Sequence, residues 1–148
     1  MRVSVIGGSS VDEDTYQQAR AVGRHCAERG HTVVCGGYGG VMEAACRGAS
    51  EAGGESVGIL SGSDPSAAND YVTTPVATGL GNARNPLVVL NGAGTVAVDG
   101  AFGTLSEIGH ALDFGRPVAA LASHDLPFEG FESVGTAAAA VESVERRV

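Results

Sequence analysis

Three short, mostly apolar runs in this chain each empty into a glycine-rich turn and then into a helix. Val3–Ile6 leads into Gly7-Gly-Ser-Ser10, Thr32–Cys35 into Gly36-Gly-Tyr-Gly-Gly40, and Thr95–Val98 into Asp99-Gly-Ala-Phe-Gly103. Runs of this kind, apolar rather than alternating, are expected of strands buried on both faces, and strands buried that way belong to parallel sheets covered by helices. Further strands are predicted at Ser56–Leu60 and Pro117–Leu121, with helices between them. The expectation is an α/β fold over residues 1–148 as one domain: a Rossmann-like, doubly wound parallel sheet in three αβα layers. With core strand order 3-2-1-4-5, the first and fourth core strands flank the point where strand order reverses. Their glycine turns then face each other across one crevice, where such folds bind ligands.

The other elements follow from spacing and punctuation. Asp12 and Glu13 open a helix with apolar positions at Tyr16, Ala19, Val22, Gly23, Cys26 and Ala27, stopped at Gly30. The next helix carries Val41, Ala44, Ala45, Gly48 and Ala49. Tyr71–Thr74 reads as an edge strand ended by Pro75, Leu87–Leu90 as helical, and Thr104–Phe114 as a helix. Residues 122–132 read as a loop, and Ser133 as the cap of a final helix carrying Val134, Ala137, Ala138, Val141 and Val144.

Composition narrows the function. Seventeen acids face nine basic residues, giving a net charge of −8, and all nine are arginines. Nucleic acid and anionic membrane both need a basic face, so neither is an expected partner. A chain without lysine cannot form a Walker A loop or hold pyridoxal phosphate as a Schiff base. An acidic, lysine-free surface fits a high-salt cytoplasm. Cys26, Cys35 and Cys46 never fall in a C-x-x-C pattern and read as buried free thiols. No signal-peptide core and no membrane-length apolar span is seen, so the expected location is the cytoplasm. His110 follows Glu107 by one helical turn, but a single Glu-x-x-His makes no metal site, so neither a metal nor a cofactor is expected.

The chemistry concentrates in the turns. A strand that ends in a glycine turn and a helix start presents free N–H groups and the positive end of a helix dipole, which together seat an anion. Gly100, Ala101, Phe102, Gly103 and Thr104 would form that seat. Thr104-Leu-Ser-Glu107 also fits a capping box, so Glu107 has both a structural and a chemical reading. Gly7, Gly8, Ser9 and Ser10 do not make a dinucleotide fingerprint; the two serines either donate to a ligand or cap a helix. Gly36, Gly37, Gly39 and Gly40 exceed what one tight turn requires and suggest close backbone approach to a ligand. Tyr38 at the apex either stacks on a planar base or is a surface aromatic. Arg84, which alone reads as a surface arginine, sits between Gly79, Gly81 and Pro86; a guanidinium fixed in this way suits phosphate.

Three segments together, Gly36-Gly-Tyr-Gly-Gly-Val-Met-Glu43, Gly79-Leu-Gly-Asn-Ala-Arg-Asn85 and Gly100-Ala-Phe-Gly-Thr-Leu-Ser-Glu107, resemble the motifs of the LOG-like proteins, once labelled lysine decarboxylases. That family includes cytokinin-activating nucleoside 5′-monophosphate phosphoribohydrolases and a related molybdenum-cofactor carrier protein. The resemblance implies Glu107 and Arg84 as catalytic residues and Gly100, Gly103 and Thr104 as the phosphate turn of a P-G-G-x-G-T-x-x-E signature. Asp99 stands where that signature has proline, and Ala101 where it has glycine. It also implies a homodimer or homotetramer.

The leading expectation is hydrolysis of the N-glycosidic bond of a nucleoside 5′-monophosphate, with Glu107 stabilising positive charge on the ribose. The first alternative is a non-catalytic carrier of a phosphorylated pterin or nucleotide. The second is an oligomeric scaffold with a vestigial site. Under either of the first two readings, the partner is a small phosphorylated ligand.

Overall fold

The computed structural model describes residues 1–148. Seven strands, β1 (Arg2–Gly7), β2 (Thr32–Cys35), β3 (Ser56–Leu60), β4 (Thr74–Ala77), β5 (Gly94–Val98), β6 (Val118–Leu121) and β7 (Phe131–Val134), form one sheet. Its order is β4-β3-β2-β1-β5-β6-β7, and every pairing is parallel. The expected 3-2-1-4-5 order is its centre, with one strand added at each edge.

Five helices cover the sheet: α1 (Glu13–Glu28), α2 (Val41–Glu51), α3 (Asn85–Leu90), α4 (Phe102–Asp113) and α5 (Ala137–Arg147). Alternate residues of the central strands point to opposite layers. Val3, Val5, Val96 and Val98 join the core under α1, α2 and α5, while Ile6 and Ala97 join the core under α3 and α4. Fully burying a valine or isoleucine side chain contributes about 1.5–3 kcal/mol, so these short strands are held mainly by packing on both faces. Ser4 fits among them because its hydroxyl donates to the Val88 carbonyl at 2.7 Å. No helix is long and apolar enough to cross a membrane.

Four sequence expectations are corrected. The edge strand on the β3 side is Thr74–Ala77 and contains Pro75, rather than ending there. An edge strand pairs along one side only, so it tolerates the missing N–H of proline. Phe131–Val134 is a strand paired with β6, not part of a loop and a cap. The cap of α5 is Thr136, whose hydroxyl oxygen accepts from the Ala139 N–H at 3.1 Å, while Ser133 donates to Asp125. Finally, α4 begins at Phe102 with Ala101 as its uncapped N-cap, so Thr104 and Glu107 form no capping box. Thr104 is drawn inward because Gly100 leaves room: a Cβ there would lie 2.2 Å from Thr104 Oγ1.

The tightest helix contact is made by two glycines. A Cβ on Gly23 of α1 would lie 1.9 Å from the Ala45 carbonyl oxygen of α2, and one on Gly48 of α2 would lie 1.9 Å from the Arg20 carbonyl oxygen of α1. Backbone atoms cannot swing aside as a flexible side chain can. Gly23→Ala is therefore expected to destabilise by about 2 kcal/mol, lowering Tm by roughly 4–8 °C in calorimetry. Gly109→Ala on α4, where an added Cβ meets nothing within 4 Å, is the control and should gain about 0.5–1 kcal/mol.

Candidate functional site

The carboxyl ends of β1 and β5 diverge at the reversal of strand order, and a crevice of about 410 Å³ opens above them. That volume lies within the usual ~300–1,000 Å³ range of small-molecule sites. Of the residues singled out in the sequence, Gly7, Gly8, Ser9, Gly36, Tyr38, Arg84, Ala101, Gly103, Thr104 and Glu107 line it. The remaining ones, Ser10, Gly37, Gly39, Gly40, Gly100 and Phe102, lie outside the lining. Phe102 is 88% exposed.

Much of the glycine richness has an internal cause. Gly40 has φ +64°, and a Cβ there would meet the Gly8 carbonyl oxygen at 2.2 Å; the same Gly8 oxygen accepts from the Val41 N–H at 2.9 Å. The first and second glycine turns are thus laced together backbone to backbone. Gly37, at φ +83°, packs on Leu60 and Gly58, and Gly36 leaves space for Arg84, whose Nη2 would lie 2.6 Å from an added Cβ.

Arg84 is not a surface residue: it is 8% exposed. A short 3-10 turn, Gly81–Arg84, delivers it at the start of α3. Its Nε donates to the Ile59 carbonyl at 2.7 Å and its Nη2 to the Gly36 carbonyl at 3.3 Å, while Nη1 donates to Asn85 Oδ1. A guanidinium has five N–H donors, so two are left for the crevice. The Tyr38 ring lies over the guanidinium, 5.8 Å from its centroid to Cζ. Tyr38 is held in turn by bonds to its hydroxyl from Ser61 Oγ (3.2 Å) and the Gly62 N–H (3.1 Å), which also lower its pKa. One face of its ring is thus turned to Arg84.

Opposite Arg84 stands the first turn of α4, with no side-chain cap and its leading N–H groups open. The turn before it is pinned from the side of β6. Ser123 Oγ donates to the Asp99 carbonyl at 2.7 Å, and His124 Nε2 lies 3.2 Å from the Ala101 carbonyl oxygen. Asp99 (φ 53°) and Ala122 (φ 48°), which follow β5 and β6, are the two non-glycine residues with left-handed backbone. Ala101, at φ −122°, needs no glycine. Glu107, half-buried one turn into α4, has its carboxyl pKa pushed up to about 7 by burial, against the opposing pull of the Arg84 guanidinium. No hydrogen bond contributes to that shift.

Sequence reasoning did not single out six lining residues: Val5, Ile6, Met42, Ser61, Asn82 and Asn85. Asn82 and Asn85 flank Arg84 inside the Gly79–Asn85 segment, so their amide groups could have been read there. Ser61, directly after β3, carried no comparable signal.

The profile of the SLOG cluster4 family matches residues 1–148. An uncharacterized protein of Archaeoglobus fulgidus is 43% identical over 121 residues, which is 82% of this chain and 80% of that one. Among solved structures, the molybdenum cofactor binding protein of Rippkaea orientalis superposes with a TM-score of 0.91 at 29% identity, covering 98% of this chain and 95% of that one. The molybdenum cofactor carrier protein of Chlamydomonas reinhardtii superposes with a TM-score of 0.90 at 31% identity, covering 98% and 96%. The full-length match, the parallel sheet and the crevice at its switch point agree: this chain belongs to the SLOG cluster4 family.

Proposed function

We propose that the chain binds a phosphorylated pterin of the molybdenum-cofactor type in the crevice and holds it without cleaving it. The phosphate would sit on the open N–H groups of Gly103 and Thr104, within reach of the two free donors of Arg84. Ser9, Ser61, Asn82 and Asn85 would meet the polar edge of the heterocycle, with Met42, Val5 and Ile6 beneath it. The observation that carries this reading is the placement of Glu107, which lines the crevice with Arg84 but makes no hydrogen bond that would fix it for catalysis. A carboxyl pushed up to about 7 is near half-neutral at physiological pH, so it lessens the repulsion of an anionic ligand. It also lacks any partner that would orient it as a fixed carboxylate beside a developing positive charge. The likeness to the Rippkaea and Chlamydomonas proteins supports the same side.

Hydrolysis of a nucleoside 5′-monophosphate is the second reading, and one observation favours it. A carboxyl titrating near neutrality is suited to exchange a proton with a leaving base. Titration calorimetry with a pterin phosphate monoester, beside chromatography of nucleoside 5′-monophosphates incubated with the protein, separates the two. We expect saturable pterin binding, at least tenfold weaker without the phosphate, and no released base. Steady base release would replace the carrier reading with the hydrolase.

A further inference from the structure

One wall of the crevice comes from the turn Gly81–Arg84 and from Asn85, the first residue of α3. Pro86 follows, and its fixed φ holds the chain where the Asn85 side chain departs. Asn85 is half-buried and lines the crevice, so a ligand seated there meets its amide.

An asparagine amide has one branch that only accepts, the carbonyl oxygen, and one that only donates, the NH₂ group. An amide free to turn over exchanges the two and selects nothing. Asn85 is not free, because the Arg84 guanidinium donates through Nη1 to its Oδ1. A guanidinium carries donors and no acceptor and stays charged, so the opposite orientation would set N–H against N–H. Nor can Arg84 swing aside to allow it. Its Nε is tied to the Ile59 carbonyl at 2.7 Å and its Nη2 to the Gly36 carbonyl at 3.3 Å. The lock thus runs from two backbone carbonyls, through one guanidinium, to the amide. It leaves the Nδ2 branch of Asn85, rather than the oxygen, for a ligand. Beside the two remaining N–H groups of Arg84, that branch makes this wall a row of donors.

The ring substituent that meets such a wall must accept. An oxo oxygen does so, whereas an exocyclic amino group at the same ring position sets hydrogens against hydrogens. The mismatch is costly, since the donor is shut away from water as the ligand closes over it. We infer that Asn85 is a specificity-determining residue that admits oxo-substituted heterocycles, such as a pterin or a 6-oxopurine, and rejects their amino-substituted counterparts. This selectivity rests on the phosphorylated heterocycle proposed above for the crevice, but not on that heterocycle being a pterin.

The test is titration calorimetry of the full chain with two matched pairs of phosphate monoesters. One pair is 6-hydroxymethylpterin phosphate and its 2,4-diaminopteridine analogue; the other is inosine and adenosine 5′-monophosphate. Within the pteridine pair, the oxo member should bind at least tenfold more tightly than the amino member. Asn85→Asp puts an acceptor where the donor stood, with its other oxygen still paired to Arg84, and should reverse that order. Comparing members of one pair cancels the added negative charge, which both phosphates feel alike. Asn85→Ala serves should the aspartate disturb the fold, and it is expected to bring the two affinities nearly level. Equal affinities in the native chain overturn the selectivity and leave the carrier standing. So does the native preference persisting in Asn85→Asp or in Asn85→Ala, the latter placing the amide on the phosphate instead. If neither pteridine binds while inosine monophosphate outbinds adenosine monophosphate, the carrier falls and the selectivity stands. Failure of all four to bind overturns both.

Discussion

An Arg84→Ala protein is expected to melt roughly 10 °C below the native chain and to bind a phosphorylated ligand at least 100-fold more weakly. Both effects come from one buried fork. Removing it leaves the Ile59 and Gly36 carbonyls without donors and opens a void beside Gly36, where the backbone was shaped around the guanidinium. Each stranded buried acceptor costs about 1–3 kcal/mol, which at about 2–4 °C per kcal/mol gives the expected loss in calorimetry. The ligand loses its two free donors at the same time, and Tyr38 loses the cation beneath its ring. Arg84→Lys separates the contributions. An ammonium restores the charge but cannot serve both carbonyls from a planar fork, so stability should recover in part and affinity less. Arg84 also pulls the Glu107 pKa down, so its removal should move the Glu107 titration further upward in a carbon-detected NMR experiment. A packing role alone would not produce that movement.

Glu107→Gln is expected to act in the opposite direction: a more stable protein above pH 7 and tighter binding of phosphate there. The Glu107 carboxyl titrates at about 7 in the folded chain and at its ordinary 4.5 when unfolded. Its contribution to stability is therefore fully present below 4.5 and is lost as pH rises through 7, where folding must bury a charge. At about 1.4 kcal/mol per pKa unit, the rise from 4.5 to about 7 gives a cost at pH 8 on the order of 3 kcal/mol. Glutamine never ionises, so denaturant titrations of the two proteins should agree near pH 4 and diverge by that amount at pH 8. Native affinity for a pterin phosphate should decline from pH 6 to pH 8 as the carboxylate forms beside the anion, and the Glu107→Gln profile should be flatter. Equal pH profiles for the two proteins would show that Glu107 stands outside the ligand's field.

The centre of the sheet was legible because its signal is redundant. Val3–Ile6, Thr32–Cys35 and Thr95–Val98 are apolar on both faces and each ends in glycine, so period, length and punctuation agree. The edges were less legible. A strand paired on one side tolerates Pro75, and Phe-Glu-Ser-Val at 131–134 has no apolar continuity, so local pattern and tertiary pairing disagreed at both ends. Within the site, Glu107 and Arg84 were found from glycine context and motif spacing, and they do line one crevice. What sequence misjudged was the partner of each group. Gly40 reads as an opening for a ligand, yet it accommodates the Gly8–Ser9 backbone, while Gly36 lines the crevice and also makes room for Arg84. Thr104 was read as a cap but folds inward over Gly100, because helix boundaries depend on backbone dihedrals that side-chain spacing does not reveal.

The left-handed residues at the ends of β5 and β6 bear on binding in another way. Asp99 and Ala122 follow directly upon paired neighbours, Val98 and Leu121, so two adjacent strand exits share an uncommon backbone geometry that Ser123 and His124 then lock. That ordering is completed during folding. For the carrier proposed above, an arriving phosphate would meet a turn already ordered, and little of its binding energy would be diverted into organising the loop that receives it.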